Sequence, residues 1–350
     1  MRVSMPSGIA HGWGVAGSHL AKQIALLPRL DGVTLHCING HAFRPYDAAA
    51  WDRINIGYCF FENDVEAQRH MRQAASRWDY IVAGSSWCEY QLRIGGVQRT
   101  STILQGIDPA NFHAAAARVD DGRFIVYSGG KFEYRKGQDL VIAAMRVLMQ
   151  RHDDAFLACS WINQWPETMA SMASSSHISF NLSNDDCKTI LLKTLYANGI
   201  PQDKVFLAPL IGNSGMQQIY QQTDLGLFPN RCEGGNNMVM CEYLASGRTV
   251  IASDNTGHAN VITADNSLPL TRYSPVLIKD DADEPVAIWH EANVEEIIEQ
   301  LEFSYQNRDV LARKARVAAE DMKLLNWARA ASDFHAIGVN LIQNASATSR

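Results

Sequence analysis

Residues 124–140 read FIVYSGGKFEYRKGQDL: an apolar run (Phe124 to Ser128), two glycines (Gly129, Gly130), three cations (Lys131, Arg135, Lys136), a further glycine (Gly137), and the start of a periodic segment, Gln138 to Arg151. The apolar run reads as a buried strand and the periodic segment as a helix. Paired glycines let the backbone turn sharply at the strand's carboxyl end. Lys131 and Lys136, five positions apart, can then converge on one anion, for which a pyrophosphate is the obvious candidate. A solvated basic loop is the alternative, and the Gly-Gly turn at a strand end weighs against it.

The same strand-then-helix grammar extends to both sides. Downstream, strands are expected at Phe156 to Ser160, Val205 to Pro209, Leu225 to Pro229 and Thr249 to Ser253, with helices at Asp185 to Asn198, Gly215 to Gln222 and Asn237 to Ala245. Upstream, strands are expected at Arg2 to Met5, Thr34 to Ile38, Ile54 to Phe61, Tyr80 to Ala83 and Ser101 to Leu104, with helices at Val15 to Leu27, Val65 to Arg77 and Trp87 to Ile94. After about Ala292 the chain reads as charged and helical to its end. Such alternation marks parallel sheets with crossover helices. The turn-rich GIDPANF and the small, polar Ala114 to Gly122 separate the halves. The expected class is α/β: two Rossmann-like, doubly wound domains, residues 1–113 and from 114 onward, facing across a cleft where strand ends meet ligands.

Composition narrows the function classes. The chain has 350 residues, 47% of them hydrophobic, which excludes disorder and fibres. Its 31 Lys plus Arg against 37 Asp plus Glu leave a formal charge of -6, so no bulk attraction for nucleic acid or anionic lipid exists. The 7 cysteines form no C-x-x-C pair and no zinc spacing with histidine, which fits free thiols in a reducing cytoplasm. The opening MRVSMPSGIAHGWG has no apolar core after its Arg, and nowhere do 18 apolar residues run together. Neither a signal peptide nor a membrane span is expected.

A second telling stretch is NRCEGGNNMVMCEYLASG, Asn230 to Gly247, which begins where a buried strand ends and carries Glu233 and Glu242. Its loop, Gly234 to Asn236, leads into a helix near Asn237, whose free N–H groups and dipole favour an anion. Met238 and Glu242 are four apart and share a face. Helical side chains lean toward the N-terminus, so Glu242 can reach back to hydroxyls near that anion, such as a ribose pair. A third stretch, HGWGVAG, spells G-x-G-x-x-G with Gly12, Gly14 and Gly17 after a strand. A dinucleotide reading also wants an acid after the second strand, but TLHCI runs into Asn39 and Gly40. A turn that only packs helix on strand accounts for these glycines equally well.

Taken in order, GIDPANF, SGGKFEYRKGQDL, EGGNNMVMCEYLASG and SDNTGHANVI resemble the family 4 retaining glycosyltransferases of GT-B fold, over nearly the whole chain. ILQGIDPANF (Ile103 to Phe112) looks like that family's interdomain crossover, GGKFEYRKG like its phosphate-clamp loop, and EGGNNMVMCE like its paired-glutamate motif. The resemblance implies transfer of a sugar from a nucleoside diphosphate sugar, a UDP- or GDP-linked hexose, to an acceptor hydroxyl with retention at the anomeric carbon, in glycan, polysaccharide or glycolipid synthesis. It implies that Lys131 and Lys136 meet charge on the departing diphosphate. It also implies that Glu233 lies by the donor sugar and that Glu242 holds the ribose. Gly14, Gly130, Gly235, Asn236, Asn237 and Met238 are the other donor-binding residues expected. No metal and no further cofactor is required. The tail around Trp327 resembles the family's last helix, so residues 114–325 form the second domain and 326–350 cross back to the first.

The chain departs from the family pattern in places. Eight residues rather than seven separate Glu233 from Glu242, so either Glu233 or an immediate neighbour carries the sugar contact. Asn260 stands where a glutamate is common, and His258 at or near the place of a glycine. Where many relatives have a histidine after the strand INIGYCFF, this chain has Glu62, Asn63 and Asp64. Glu62 is assigned to face donor sugar or acceptor, the alternative being a capping cluster in which Asn63 or Asp64 is the N-cap. Ser85 and Ser86 read equally as helix caps. Asp281-Ala282-Asp283, inside KDDADE, is read as a solvated loop. His36 and His41 are read as structural, and His11 as structural or acceptor-side.

The expected partners are a nucleotide-sugar donor and a glycan, lipid-linked or small-molecule acceptor, with no nucleic acid. The expected location is the cytoplasm, with peripheral contact at the inner membrane face left open, although the helix bearing Arg69, Arg72 and Arg77 reads as a solvated face. A GT-B epimerase or phosphorylase, and a non-catalytic nucleotide-sugar-binding protein, are the competing readings.

Overall fold

In the computed structural model, the described residues are 1–348 except 9–10, 116–117, 162, 164–165 and 210, so two residues of the expected boundary segment Ala114 to Gly122 lie outside the described residues. The first sheet comprises β1 (Arg2–Ser4), β2 (Val33–Cys37), β3 (Ile54–Cys59), β4 (Tyr80–Ala83) and β5 (Thr100–Thr102), side by side in chain order and all parallel. Strands β2 and β3 are buried along their whole length, so both faces of the sheet must be covered. Ala16, Leu20 and Ile24 of α1 (Gly12–Ile24) cover one face, joined there by Ala330, Ala331 and Phe334 of α10 (Trp327–Thr348). Ala67, Met71 and Ala74 of α2 (Asp64–Arg77), with Cys88 and Leu92 of α3 (Ser86–Ile94), cover the other.

The second sheet is built differently. It comprises β6 (Phe124–Gly130), β7 (Ala155–Trp161), β8 (Val205–Leu207), β9 (Leu225–Phe228), β10 (Thr249–Ser253) and β11 (Leu268–Leu270), in the order β11-β10-β9-β6-β7-β8. The order therefore reverses between β6 and β9. Loops leaving the carboxyl ends of two such strands diverge to opposite faces and open a crevice. The two loops are those that carry Lys131 to Lys136 and Glu233 to Asn237. Helices α4 (Gln138–Arg151), α5 (Cys187–Ala197) and α8 (Val294–Gln306) cover one face of this sheet. Helices α6 (Met216–Tyr220), α7 (Met238–Ala245) and α9 (Arg308–Met322) cover the other, where Tyr127 stacks on Tyr243 at 5.0 Å between ring centres.

Most expected elements appear within a few residues of their expected limits. The antiparallel hairpin of β12 (Tyr273–Lys279) and β13 (Pro285–Ala292) was not expected. Its tip is the acidic run that reads as a loop, where Lys279 Nζ lies 2.9 Å from Asp283 Oδ1. Rather than joining either sheet, the hairpin packs on α2 of the first half. Among the described residues no helix is long and apolar enough to cross a membrane.

Gly17 shows what the first glycine-rich turn does for packing. A Cβ there would sit 2.0 Å from the carbonyl oxygen of Pro6, so α1 can press against the chain leaving β1 only because the side chain is absent. Gly17→Ala should destabilise the protein by about 2–3 kcal/mol, seen as a thermal midpoint lowered by several degrees. An unchanged midpoint would mean that the contact yields freely.

Candidate active site

The β6–α4 loop is shaped by its glycines. Gly130 and Gly137 both have positive φ (109° and 73°), and a Cβ on Gly137 would lie 2.2 Å from the carbonyl oxygen of Pro229, at the end of β9. The two crevice loops therefore touch backbone to backbone. Between these glycines, Tyr134–Lys136 form a single tight turn that aims the cations into the crevice. Lys136 Nζ donates to the carboxylate of Glu233. Arg135 lies 3.2 Å from the other Glu233 oxygen, 3.4 Å from Glu62 and 2.7 Å from Glu133. Lys131, with 57% of its side chain exposed, is 3.8 Å from Glu133. Burial alone would raise the Glu233 pKa, but Lys136 and Arg135 outweigh it and bring the group down to about 2.

On the facing loop, Asn237 takes the left-handed conformation (φ 54°) and caps α7, its Oδ1 accepting from Met240 N–H. With that turn, both Glu233 and Glu242 line the same cleft despite the eight residues between them. His258 is fully buried and accepts from the Asn237 amide at Nε2 (3.0 Å), while its Nδ1 faces the Ser253 carbonyl at 3.2 Å. Burial lowers its pKa to about 4, so the ring is neutral and serves as a buttress for Asn237. Glu242 is buried, with Asn213 donating to it at 2.7 Å and the Tyr220 hydroxyl at 3.5 Å. Burial pushes this carboxyl up to about 8, only partly offset by Asn213 and Tyr220.

The first half closes over these loops. Glu62 accepts from Gly234 N–H (3.3 Å) through its side chain and from Trp289 Nε1–H (2.8 Å) through its carbonyl. Ser85 caps α3 and donates to the Gly234 carbonyl at 2.8 Å, while Ser86 exchanges two hydrogen bonds with Asn260 (2.9 and 2.8 Å). Asn63 occupies the N-cap position of α2 without a capping bond, and Asp64 instead accepts from Ile288 N–H. Arg69 spends its guanidinium on the Pro285 carbonyl at 3.0 Å. Glu62, Asp64 and Arg69 thus bind the hairpin across the seam, and Ser85 and Ser86 bind the second-half loops beside it.

Beneath the cations lies Arg231, wholly buried. It pairs with both oxygens of Asp139 (2.8 and 2.6 Å) and with Glu291 of β13 (2.6 Å), and it sits 3.7 Å from the centre of the Tyr134 ring. Its own N–H donates to the Arg135 carbonyl at 2.8 Å, so the guanidinium and backbone together hold the turn that carries Arg135 and Lys136. His177 completes the cluster at 2.9 Å from Glu291. Nothing in the sequence pattern marks Arg231 as buried beyond its place directly after an apolar strand.

The resulting cleft measures about 560 Å³. Of the expected site residues, Lys131, Lys136, Glu233, Glu62, Gly130, Gly235, Asn237, Met238 and Glu242 line it. Gly14 and Asn236 do not. The N–H of Gly14 is taken by His11 Nδ1 at 3.1 Å in the cap of α1, and Asn236 is fully buried with its amide clamped to the backbone N–H and carbonyl of Gln105 (3.1 and 3.0 Å). Sequence reading assigned no place in the cleft to Phe60, Gln105, Asn213 or Tyr220, which also line it, and left Arg135 without a role; Trp13, within the glycine-rich turn Gly12 to Gly17 expected to face the acceptor, lines it too. His11 lines the cleft. His36 instead bonds Asn55 and His41 pairs with Glu66, both outside it.

No protein-family model matches the sequence. The chain is 26% identical over 212 residues to a lipopolysaccharide core biosynthesis mannosyltransferase, LpcC, of Rhizobium leguminosarum bv. viciae, a match that takes in 55% of this chain and 53% of that protein. The matched part thus spans about half the length of that curated relative. In structure, the chain is similar to sucrose-phosphate synthase of Thermosynechococcus elongatus, with a TM-score of 0.67 at 14% identity over 95% of this chain and 79% of that one. It is also similar to Anabaena HepE, whose structure holds UDP and glucose, with a TM-score of 0.59 at 13% identity over 82% and 72% of the two chains. The fold is GT-B. Its crevice is the cleft described above, bounded by the two halves.

The Arg231 cluster predicts a pH signature. Burial would raise the Glu291 pKa from 4.5, but His177 and Arg231 bring it down to about 2. A depressed carboxylate contributes stability that is present above about pH 4.5 and is lost as pH falls toward 2. Glu291→Gln should therefore lower stability at pH 7 by on the order of 2–4 kcal/mol, and its thermal midpoint should converge on that of the parent as pH falls from 5 to 2. A constant gap across that range would remove Glu291 from the charge network.

Proposed function

We propose that this protein is a retaining glycosyltransferase that moves a hexose from a UDP- or GDP-linked donor to an acceptor hydroxyl, in the synthesis of a polysaccharide or glycolipid. The observation that carries the reading is the pairing, across one cleft at a topological switch point, of a cation-bearing turn with a helix that opens on the cleft and carries the buried Glu242 one turn in. The diphosphate would lie against Lys131, Arg135 and Lys136, and the ribose against Glu242. Arg135 matters because it touches the second oxygen of Glu233 at 3.2 Å. It keeps that carboxylate neutralised when Lys136 turns toward the diphosphate. As the bond from anomeric carbon to phosphate oxygen breaks, these cations meet the charge that develops on the departing oxygen. No metal is needed for that step.

Retention is supported by the state of the acids. An inverting reaction needs a carboxylate base on the face opposite the leaving group, with room for the nucleophile. Among the described lining residues, Glu233 is paired twice and Glu62 is held by Arg135 and Gly234 N–H. Glu242 is pushed up to about 8 by burial. With no unengaged carboxylate among the described lining residues, the acceptor hydroxyl would give its proton to the departing diphosphate oxygen as the new C–O bond forms on the same face. The donor class draws on the mannosyltransferase and the UDP-bound neighbour, and the cytoplasm, with peripheral membrane contact for a lipid-linked acceptor, is where such donors and acceptors would meet.

Thermal stability with UDP, GDP, ADP, TDP and NAD tests the reading. A nucleoside diphosphate at about 100 times its dissociation constant adds about 2.7 kcal/mol and should raise the midpoint by several degrees. A selective shift names the base; no shift with any diphosphate, or a shift with NAD alone, would sink the transferase reading. With the donor so named, Lys136→Ala should lower kcat about a hundredfold, and turnover should persist in excess EDTA. Glu242→Ala should weaken nucleotide binding while the unliganded midpoint stays in the folded range.

A further inference from the structure

The first-domain wall of the cleft is chemically unlike the second. Among the described residues its lining contains no Lys or Arg: it is His11, Gly12, Trp13, Val15 and Phe60, with Glu62 tied to Arg135 and with Gln105. Trp13 is half-buried and held by its neighbours, edge-on to Tyr58 at 5.8 Å and tilted against Phe60 at 4.6 Å. Among the described residues its indole N–H has no hydrogen-bond partner.

Gln105 is the more telling residue. It is only 8% exposed, and Asn236 clamps its backbone on both sides, so its place is fixed. Yet its side-chain amide makes no hydrogen bond among the described residues while lining the cleft. The amide atoms are not sealed from solvent, so they face the cleft and are free to exchange water for a ligand that can both accept from and donate to them. His11 adds a donor: with Nδ1 accepting from Gly14, the neutral ring carries its proton on Nε2.

We propose that this wall, Trp13 and Phe60 with the amide of Gln105 and the imidazole of His11, is a subsite for an uncharged pyranose ring, and that the ring belongs to the acceptor. A pyranose has an apolar C–H face that fits an aromatic ledge and an edge of vicinal hydroxyls that an amide can both donate to and accept from. A phosphorylated acceptor finds no cation on this wall, and a lipid tail would leave the amide unpaired. The inference rests on the transferase reading, in which the second-domain loops hold the donor and leave this wall to the acceptor.

The test measures release of nucleoside diphosphate by the full chain from UDP-glucose, UDP-galactose, UDP-N-acetylglucosamine and GDP-mannose. The acceptor probes are methyl α-D-mannopyranoside, methyl α-D-glucopyranoside and methyl α-D-galactopyranoside, against the matching hexose 6-phosphates. A neutral glycoside should accelerate release more than any hexose phosphate. Trp13→Ala and Gln105→Leu should each raise the KM for that glycoside about tenfold, with the donor KM within about twofold. Trp13→Phe, which keeps a ring, should recover most of the loss and guards against a folding failure in the alanine variant. Preference for hexose phosphates, or an unchanged glycoside KM in the variants, would overturn the proposal. So would a rise in donor KM instead, which would assign the ring to the donor sugar. If no donor is turned over and no nucleoside diphosphate shifts the melting midpoint, the transferase reading itself fails and the subsite falls with it. A nucleotide shift without any glycoside effect would overturn the subsite alone.

Discussion

A fully buried guanidinium holds the cleft in shape. Arg231 leaves the end of β9, reaches under the neighbouring crevice loop to Asp139 at the start of α4, and meets Glu291 from the hairpin. Burying such a charge is tolerable only because its partners accept from nearly every N–H it has, and removal of one partner from a buried pair typically costs about 3–5 kcal/mol. The benefit is geometric. The same residue bonds the carbonyls of Tyr134 and Arg135, so the turn that aims Arg135 and Lys136 cannot drift from the loop that carries Glu233. The turn thus presents Arg135 and Lys136 to the cleft with its backbone already in place, and only side chains have to move to meet a ligand.

The seam between the halves follows from the same arrangement. Gly234 sits so close to Phe61 that a Cβ would lie 2.6 Å from its carbonyl oxygen, while its own carbonyl accepts from Ser85. The hairpin fastens the other side, with Trp289 on the Glu62 carbonyl and Glu291 on Arg231. One element thus positions a first-domain acid and a second-domain cation at once. Asn260 and His258, which depart from the family pattern, serve this framework too, Asn260 by clasping Ser86 and His258 by bracing Asn237.

Much of this was legible in the sequence because strand ends, glycines and helix starts are local signals. The Gly129-Gly130 turn and the loop from Glu233 to Asn237 announce themselves by neighbours within a few positions, and both line the crevice. What stayed hidden is set by contacts far apart in the chain. Arg231 looks like any loop arginine until Glu291, 60 positions on, is folded against it. The hairpin escaped notice because its short apolar runs, Val276 to Ile278 and Val286 to Trp289, flank a charge run and join neither parallel sheet. Gly14 and Asn236 look like ligands for the same reason that Gly235 and Asn237 do. Only the tertiary fold shows that His11 and Gln105 have already claimed their hydrogen bonds.

The charges around the cleft also explain why its three cations are unequal. Lys131, Arg135 and Lys136 face Glu62, Glu133 and Glu233, so the free site is close to neutral. The diphosphate proposed to bind here would bring negative charge that this balance does not cover, and the least committed cation would supply the difference. Arg135 is shared among three acids and Lys136 is bonded to Glu233, whereas Lys131 is more than half exposed and, among the described residues, has a single ionic partner at 3.8 Å. A flexible, well-hydrated lysine at the mouth of the cleft would lose little in leaving Glu133 for the proposed phosphate. A guanidinium fixed in several ion pairs would lose far more. A lysine at position 131 suits a site whose interior charges are already satisfied before a ligand binds.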